Sequence, residues 1–135
     1  MAAFLDTNVL VYAFDKTSPR KQEVALRLVG DESPRHVLSA QVLNEFYATV
    51  TRKIPEPLDV DTAKEAVRLV SRRTVLALNA TSTLDAIEIA SRNSISHWDG
   101  LIIEAAQRAG CSVLYTEDLQ HGQRFGDLEV VDPFR

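Results

Sequence analysis

The sequence predicts an α/β fold: a parallel sheet of about five strands with helices on both of its faces. Three observations carry that expectation. Short β-type runs recur at residues 3–5, 36–39, 74–78, 112–115 and 129–131. Longer stretches between them place apolar side chains at helical spacing. Alternating strands and helices require crossover connections, which pair the strands in parallel and stack the helices against the sheet.

Taken in order, each element has its own local logic. The first apolar run is cut by Asp6-Thr7-Asn8 and resumes from Val9 to Phe14. An aspartate between two apolar segments costs desolvation energy unless something pairs with it, so Asp6 needs a role. Thr7-Asn8 turn the chain into a helix. Ser18-Pro19 start another, over residues 19–29, which Gly30 ends. Residues 40–53 carry Val42, Leu43, Phe46, Tyr47 and Val50 at helical spacing and stop before Pro55 and Pro57. Asp61 is read as the cap of a helix to about residue 71, with Ala63, Ala66, Val67 and Val70 inward. Residues 84–92 form a further helix. In residues 98–109 Trp98, Leu101, Ile102, Ala105, Ala106 and Ala109 make one stripe, and Gly110 supplies the stop. Trp98, at the head of that stripe, is read as core, the alternative being an aromatic platform for a base. Cys111 is read as a small buried hydrophobe.

The 135 residues form a single domain, 1–135, with no repeat, no low-complexity segment and no flexible linker. Residues 54–57, Ile-Pro-Glu-Pro, read as a rigid bend inside it. One cysteine permits no internal disulfide. The first residues lack the basic stretch of a secretory signal, and no apolar run approaches a membrane span. These features lead to the expectation of a cytoplasmic protein without membrane contact.

The formal charge is −4, from 15 basic and 19 acidic residues. An acidic balance argues against a nucleic-acid partner, unless several acids are gathered in one place. In an open parallel sheet, ligands bind beyond the carboxyl ends of the strands. Asp6 ends the first strand and Asp118 follows the fourth. Glu45 lies early in the helix after the second strand, off its apolar stripe. Asp99 lies in the first turn of the last helix, also off its stripe. Singly, each has an ordinary account: Asp6 as a helix N-cap, Asp99 against a helix dipole, Glu45 as a solvated residue, Asp118 in a polar turn. Together they converge on one rim. Converging carboxylates raise one another's pKa unless a cation is present, and hard oxygen ligands suit magnesium or manganese. Setting these four aside leaves as many acids as bases, so the rest of the surface is free to carry basic patches. Lys64, Arg68 and Arg72, spaced by four on one helix face, are the candidate phosphate-binding stripe, with a solvated face as the default.

Four short motifs, in order, resemble those of a known family. Residues 4–12, Phe-Leu-Asp-Thr-Asn-Val-Leu-Val-Tyr, resemble the opening of PIN-domain ribonucleases, particularly the VapC-type toxins of toxin–antitoxin pairs. Residues 39–46 (with Glu45), 95–102 (with Asp99) and 114–119 (with Asp118) resemble the family's later acidic motifs. The resemblance spans nearly the whole chain. It implies a three-layer α/β/α sandwich and an endoribonuclease site using Mg2+ or Mn2+, built from Asp6, Glu45, Asp99 and Asp118. Of these it implies Asp6, Asp99 and Asp118 as metal ligands, with Glu45 as a ligand or water-positioning base. Asn8 and Thr116 match supporting positions. The resemblance further implies an RNA substrate, a small antitoxin that blocks the acidic site, and a homodimer. Where many relatives carry a further acid two residues after the last Asp, this chain has Gln120.

Two other functions compete. A haloacid-dehalogenase-like phosphatase also places an Asp after its first strand, as a nucleophile, but needs a second Asp two residues on, where Asn8 stands. A non-catalytic RNA- or metal-binding module, or a phospho-acceptor domain, is the third reading; the acid pair and late Lys of a receiver are not evident. Covalent labelling of Asp6 by phosphate donors would separate these from hydrolysis. His36, His97 and His121 are scattered and read as structural or surface residues, with an approach of His97 to substrate as the minority reading.

Overall fold

The computed structural model describes residues 1–31 and 35–135. The chain runs β1 (Ala2–Leu5), α1 (Thr7–Ala13), α2 (Pro19–Gly30), β2 (Arg35–Ser39), α3 (Ala40–Arg52), α4 (Val60–Val70), β3 (Thr74–Leu76), α5 (Ala80–Asn93), α6 (His97–Arg108), β4 (Val113–Tyr115), β5 (Arg124–Phe125) and β6 (Leu128–Val131). The sheet order is β3-β2-β1-β4-β6-β5. All neighbours are parallel except the short β5, which turns back antiparallel on β6. The sheet thus has six strands among the described residues. The five expected ones are all present; the sixth is a two-residue run that carries no period of its own.

The central strand β1 is buried along its whole length, as a strand covered on both faces must be. Phe4 sits between Val37 of β2 and Leu114 of β4. From β1 the chain moves outward through β2 to β3, then returns across to β4 on the other side of β1. Right-handed crossovers put α1–α4 on one face and α5–α6 on the other. The packing agrees: α1 contacts α2 and α3, α3 contacts α4, and α5 pairs with α6. Phe4, Leu5, Leu10, Leu38, Phe46, Ile103, Leu114 and Leu128 are fully buried in the resulting core. No helix among the described residues is long and apolar enough to cross a membrane.

Several boundaries differ from the sequence reading, each for a local reason. The cap of α4 is Asp59, whose carboxylate accepts from the Thr62 N–H at 2.7 Å, and Asp61 falls in the first turn. Helix α5 begins at Ala80, four residues early. Asn79 and Ser82 form a reciprocal capping box there, a signal hidden by the lack of apolar residues in that first turn. Trp98 is not core: it is 64% exposed. It occupies the second position of α6, where the stripe has not yet met the sheet. Cys111 is buried as expected, and burial pushes its thiol up to about 11.

Candidate metal and nucleic-acid site

The strand order reverses between β1 and β4, and a crevice opens beyond their carboxyl ends. Backbone bonds join the ends of β1, β4 and β6 there: the Asp6 N–H donates to the Tyr115 carbonyl at 3.1 Å, and the Thr116 N–H to the Val131 carbonyl of β6 at 3.1 Å. Asp6 is 5% exposed. It is the N-cap of α1, its Oδ1 accepting from the Thr7 N–H at 2.7 Å, while Oδ2 accepts from the Thr116 hydroxyl at 2.9 Å. The helix-cap account of Asp6 therefore holds. It leaves Asp6 a buried acid facing other acids.

Asn8 and Thr116 link Asp6 to Asp118. The Asn8 amide donates to Asp118 Oδ2 at 3.1 Å and to Thr116 Oγ1 at 3.2 Å. Its carbonyl oxygen accepts from the Glu117 N–H at 3.3 Å, and Thr116 Oγ1 accepts from the Asp118 N–H at 3.0 Å. Glu45 closes the other side. Its Oε2 accepts from the Thr7 hydroxyl at 3.1 Å and its Oε1 from the Gln41 amide at 2.6 Å. The same amide nitrogen lies 3.4 Å from the Trp98 carbonyl, which ties the start of α6 to α3. Asp99 is half-buried in the first turn of α6, with its N–H held by the Ser96 cap at 3.0 Å.

The acids act electrostatically on Asp6 and Asp118. Burial pushes the Asp6 carboxyl up to about 7; the Thr7 and Thr116 donors oppose this, and the charges of Asp118 and Glu45 add to it. Asp118 is raised as well, first by loss of solvent on its inner side and then by Asp99 and Glu117, with Asn8 opposing. Buried carboxylates raised by neighbouring acids, as Asp6 and Asp118 are, are donors that suit a hard divalent cation. Among the described residues, no three His, Cys, Asp or Glu side chains stand close enough together to enclose an ion.

Two grooves border Glu45, one of them also Asp118, while Asp6 and Asp99 line neither. One of about 320 Å³ is bordered by Asp118, Asn8, Thr7, Glu45, Thr49 and Lys53. The other, about 440 Å³, shares Glu45, Thr49 and Lys53 and reaches Trp98. Lys64, Arg68 and Arg72 border neither. Lys64 faces an apolar groove with Tyr47 and Val60. Arg68 pairs with Glu65. Arg72 lines a cavity of about 630 Å³ with His36, near the start of β3 at the opposite edge of the sheet. His36 is buried, and His121 accepts from the Asp132 N–H at 3.1 Å.

Sequence reasoning missed a supporting cluster. Glu117 accepts from the Tyr12 hydroxyl at 2.8 Å and from Lys21 at 2.9 Å. Lys21 also lies 4.6 Å from the Tyr12 ring centroid and 5.6 Å from that of Phe134. These residues come from four separate segments, so no local period announces them. Gln41 was missed too, although its position four before Glu45 on one helix face was a usable signal.

Comparison with known proteins agrees with this fold. The chain matches the PIN domain family model over residues 3–124. A toxin–antitoxin complex from Klebsiella pneumoniae is similar in structure, with TM-score 0.73, 15% identity and 97% of each chain covered. VapBC-1 from nontypeable Haemophilus influenzae has TM-score 0.67 and 22% identity over the whole of both chains. Mycobacterium tuberculosis VapC20, described as a sarcin-ricin loop cleaving toxin, has TM-score 0.67 and 20% identity over 83% of this chain and 86% of its own. No curated protein matches. At these identities the neighbours speak for the fold, and the family model covers most of the chain: the protein belongs to the PIN domain family.

Proposed function

We propose that the protein is a divalent-metal-dependent endoribonuclease, the toxin of a toxin–antitoxin pair. The observation that carries this is that buried Asp6, tied through Thr116 and Asn8 to Asp118, lies within reach of the charges of Asp118 and Glu45, and Asp118 within reach of that of Asp99. The donor chemistry fits magnesium or manganese. Asp6, Asp99 and Asp118 would hold the ion, the latter two turning inward from their partly exposed positions. A cation bound there supplies Lewis acidity, lowering the pKa of a water and offsetting charge on the phosphate.

The chain's own residues do the rest. Asn8 and Thr116 hold Asp118 and Asp6 in a fixed relation, as supporting hydrogen bonds do for metal ligands. Glu45, fixed through both oxygens by Thr7 and Gln41, orients the attacking water and takes its proton at Oε2. The water oxygen bonds to phosphorus and the bond to the 3′ oxygen breaks. That oxygen leaves as a hydroxyl after gaining a proton from solvent, Glu45 later returns its own proton to solvent, and the new end is a 5′-phosphate. No serine, cysteine or histidine nucleophile is required.

The structural neighbours include a toxin–antitoxin complex, which supports a small antitoxin partner here; a basic antitoxin residue over the acids and a homodimeric toxin belong to the same proposal and follow from the family resemblance alone. The experiment is RNA cleavage by the purified chain in magnesium, manganese or EDTA, for wild type and Asp99→Asn. Cleavage that needs metal and drops at least a hundredfold in a folded Asp99→Asn protein is expected. Equal cleavage by the variant or in EDTA overturns the assignment.

A further inference from the structure

The acids account for the chemistry but not for how an RNA strand is held beside them. The groove that leaves Glu45 ends at two side chains with no structural task. Trp98 is 64% exposed, with its ring placed edge-on to His97 at a centroid distance of 5.4 Å. Lys53 is exposed, and its ammonium has no hydrogen-bond or ion-pair partner among the described residues. Both line one groove of about 440 Å³ with Glu45. Arg27, Arg68 and Arg92, by contrast, each have an acid within reach, whereas Arg52 and Lys64 share the unpaired state of Lys53 among the described residues but do not line this groove.

An exposed indole costs hydration free energy, and a lone cation beside acids is held by none of them. Stacked base and neutralised phosphate are the two contacts a single strand needs. A double helix keeps its bases inside the stack and cannot offer one to an indole. A phosphate at Lys53 would also bring the strand to Glu45 without forcing its charge onto the four carboxylates.

We propose that Trp98 and Lys53 form the substrate-holding end of the groove, Trp98 stacking an unpaired RNA base and Lys53 pairing with a neighbouring phosphate. This rests on the nuclease reading and adds to it the two residues that hold the strand. Trp98 is the only tryptophan in the chain, so its emission reports contact at this position and nowhere else.

The test titrates a short single-stranded oligoribonucleotide, and the same sequence as a duplex, into the Asp99→Asn protein in magnesium. Tryptophan emission and anisotropy of labelled RNA are read together, and wild-type cleavage is assayed in parallel. Quenching by the single strand and not by the duplex is expected. Trp98→Ala should weaken anisotropy-detected binding roughly ten- to a hundredfold, with Trp98→Phe restoring most of it. Lys53→Ala should lower the salt slope of binding by about 0.7. Circular dichroism checks that each variant is folded. RNA binding with unchanged emission, or equal quenching by the duplex, overturns the proposal while wild-type cleavage leaves the nuclease reading standing. Absence of both binding and cleavage overturns both.

Discussion

At the residue scale, Asp6 makes the most direct prediction. Its carboxyl is raised from 3.8 to about 7 by burial. Between those values the folded, metal-free protein keeps a proton that the unfolded chain has released. Stability therefore falls as pH rises through that window. Melting in EDTA should show this decline from about pH 4 to pH 7. Asp6→Asn, which has no proton to lose, should melt with a shallower slope. Identical slopes would mean that Asp6 does not titrate in the window. Asn8→Ala addresses the supporting bonds. It removes the amide shared by Asp118 and Thr116 and should lower RNA cleavage about ten- to a hundredfold while leaving the melting temperature nearly unchanged; a full-rate variant would show that Asp118 needs no such positioning.

At the element scale, α6 is set by its contact with α5. A Cβ at Gly100 would stand 2.6 Å from the Ala86 carbonyl and 3.1 Å from the Ala90 Cβ. The two helices touch nearly backbone to backbone one residue after Asp99. Gly100→Ala should cost about 1–3 kcal/mol and, by pushing the first turn of α6 outward, cut cleavage as well. Chemical denaturation paired with the cleavage assay measures both, and a variant of wild-type stability would refute the close packing. Ser94 ends α5 in the left-handed region, at φ 54°. A side chain is strained there and glycine is not, so Ser94→Gly should raise stability by a few tenths to about 1 kcal/mol; a loss on denaturation would contradict this. These contacts also explain what could be read beforehand. Strand and helix kinds followed from period, because burial writes itself into apolar spacing. The starts of α4 and α5 did not, because Asp59 and Asn79 act through local capping hydrogen bonds that leave no periodic trace.

At the scale of the whole molecule, Asp6, Glu45, Asp99 and Asp118 could be proposed from the sequence because each stands at the end of a strand or the start of a helix, where an open parallel sheet offers its binding edge. Their neighbours Lys53 and Trp98 were harder to see. Lys53 lies past the end of a helix, and Trp98 sits in phase with a buried stripe without reaching the core. The same gathering of charge predicts a ligand response. Magnesium should raise the melting temperature with concentration, by the mass-action term that any ligand of the folded state contributes. Asp99→Asn should blunt that rise, and thermal shift across a magnesium series measures it. A rise equal in both proteins would place the ion elsewhere.

The cluster joining Tyr12, Lys21, Glu117 and Phe134 has a consequence for the protein's history. Arg20 adds a bond to the Phe134 carbonyl at 2.9 Å, and the Tyr12 and Phe134 rings meet edge to face at 4.9 Å. Glu117 is thus anchored by residues drawn from both ends of the chain, immediately before Asp118. Replacing Lys21 alone strands an acid beside another acid, and replacing Glu117 alone strands a cation over two rings. Drift through either single change passes through a weakened protein, whereas the paired change does not. Across descendants of this sequence, these positions should be inherited as a set, tolerant of exchange together and intolerant of it one at a time.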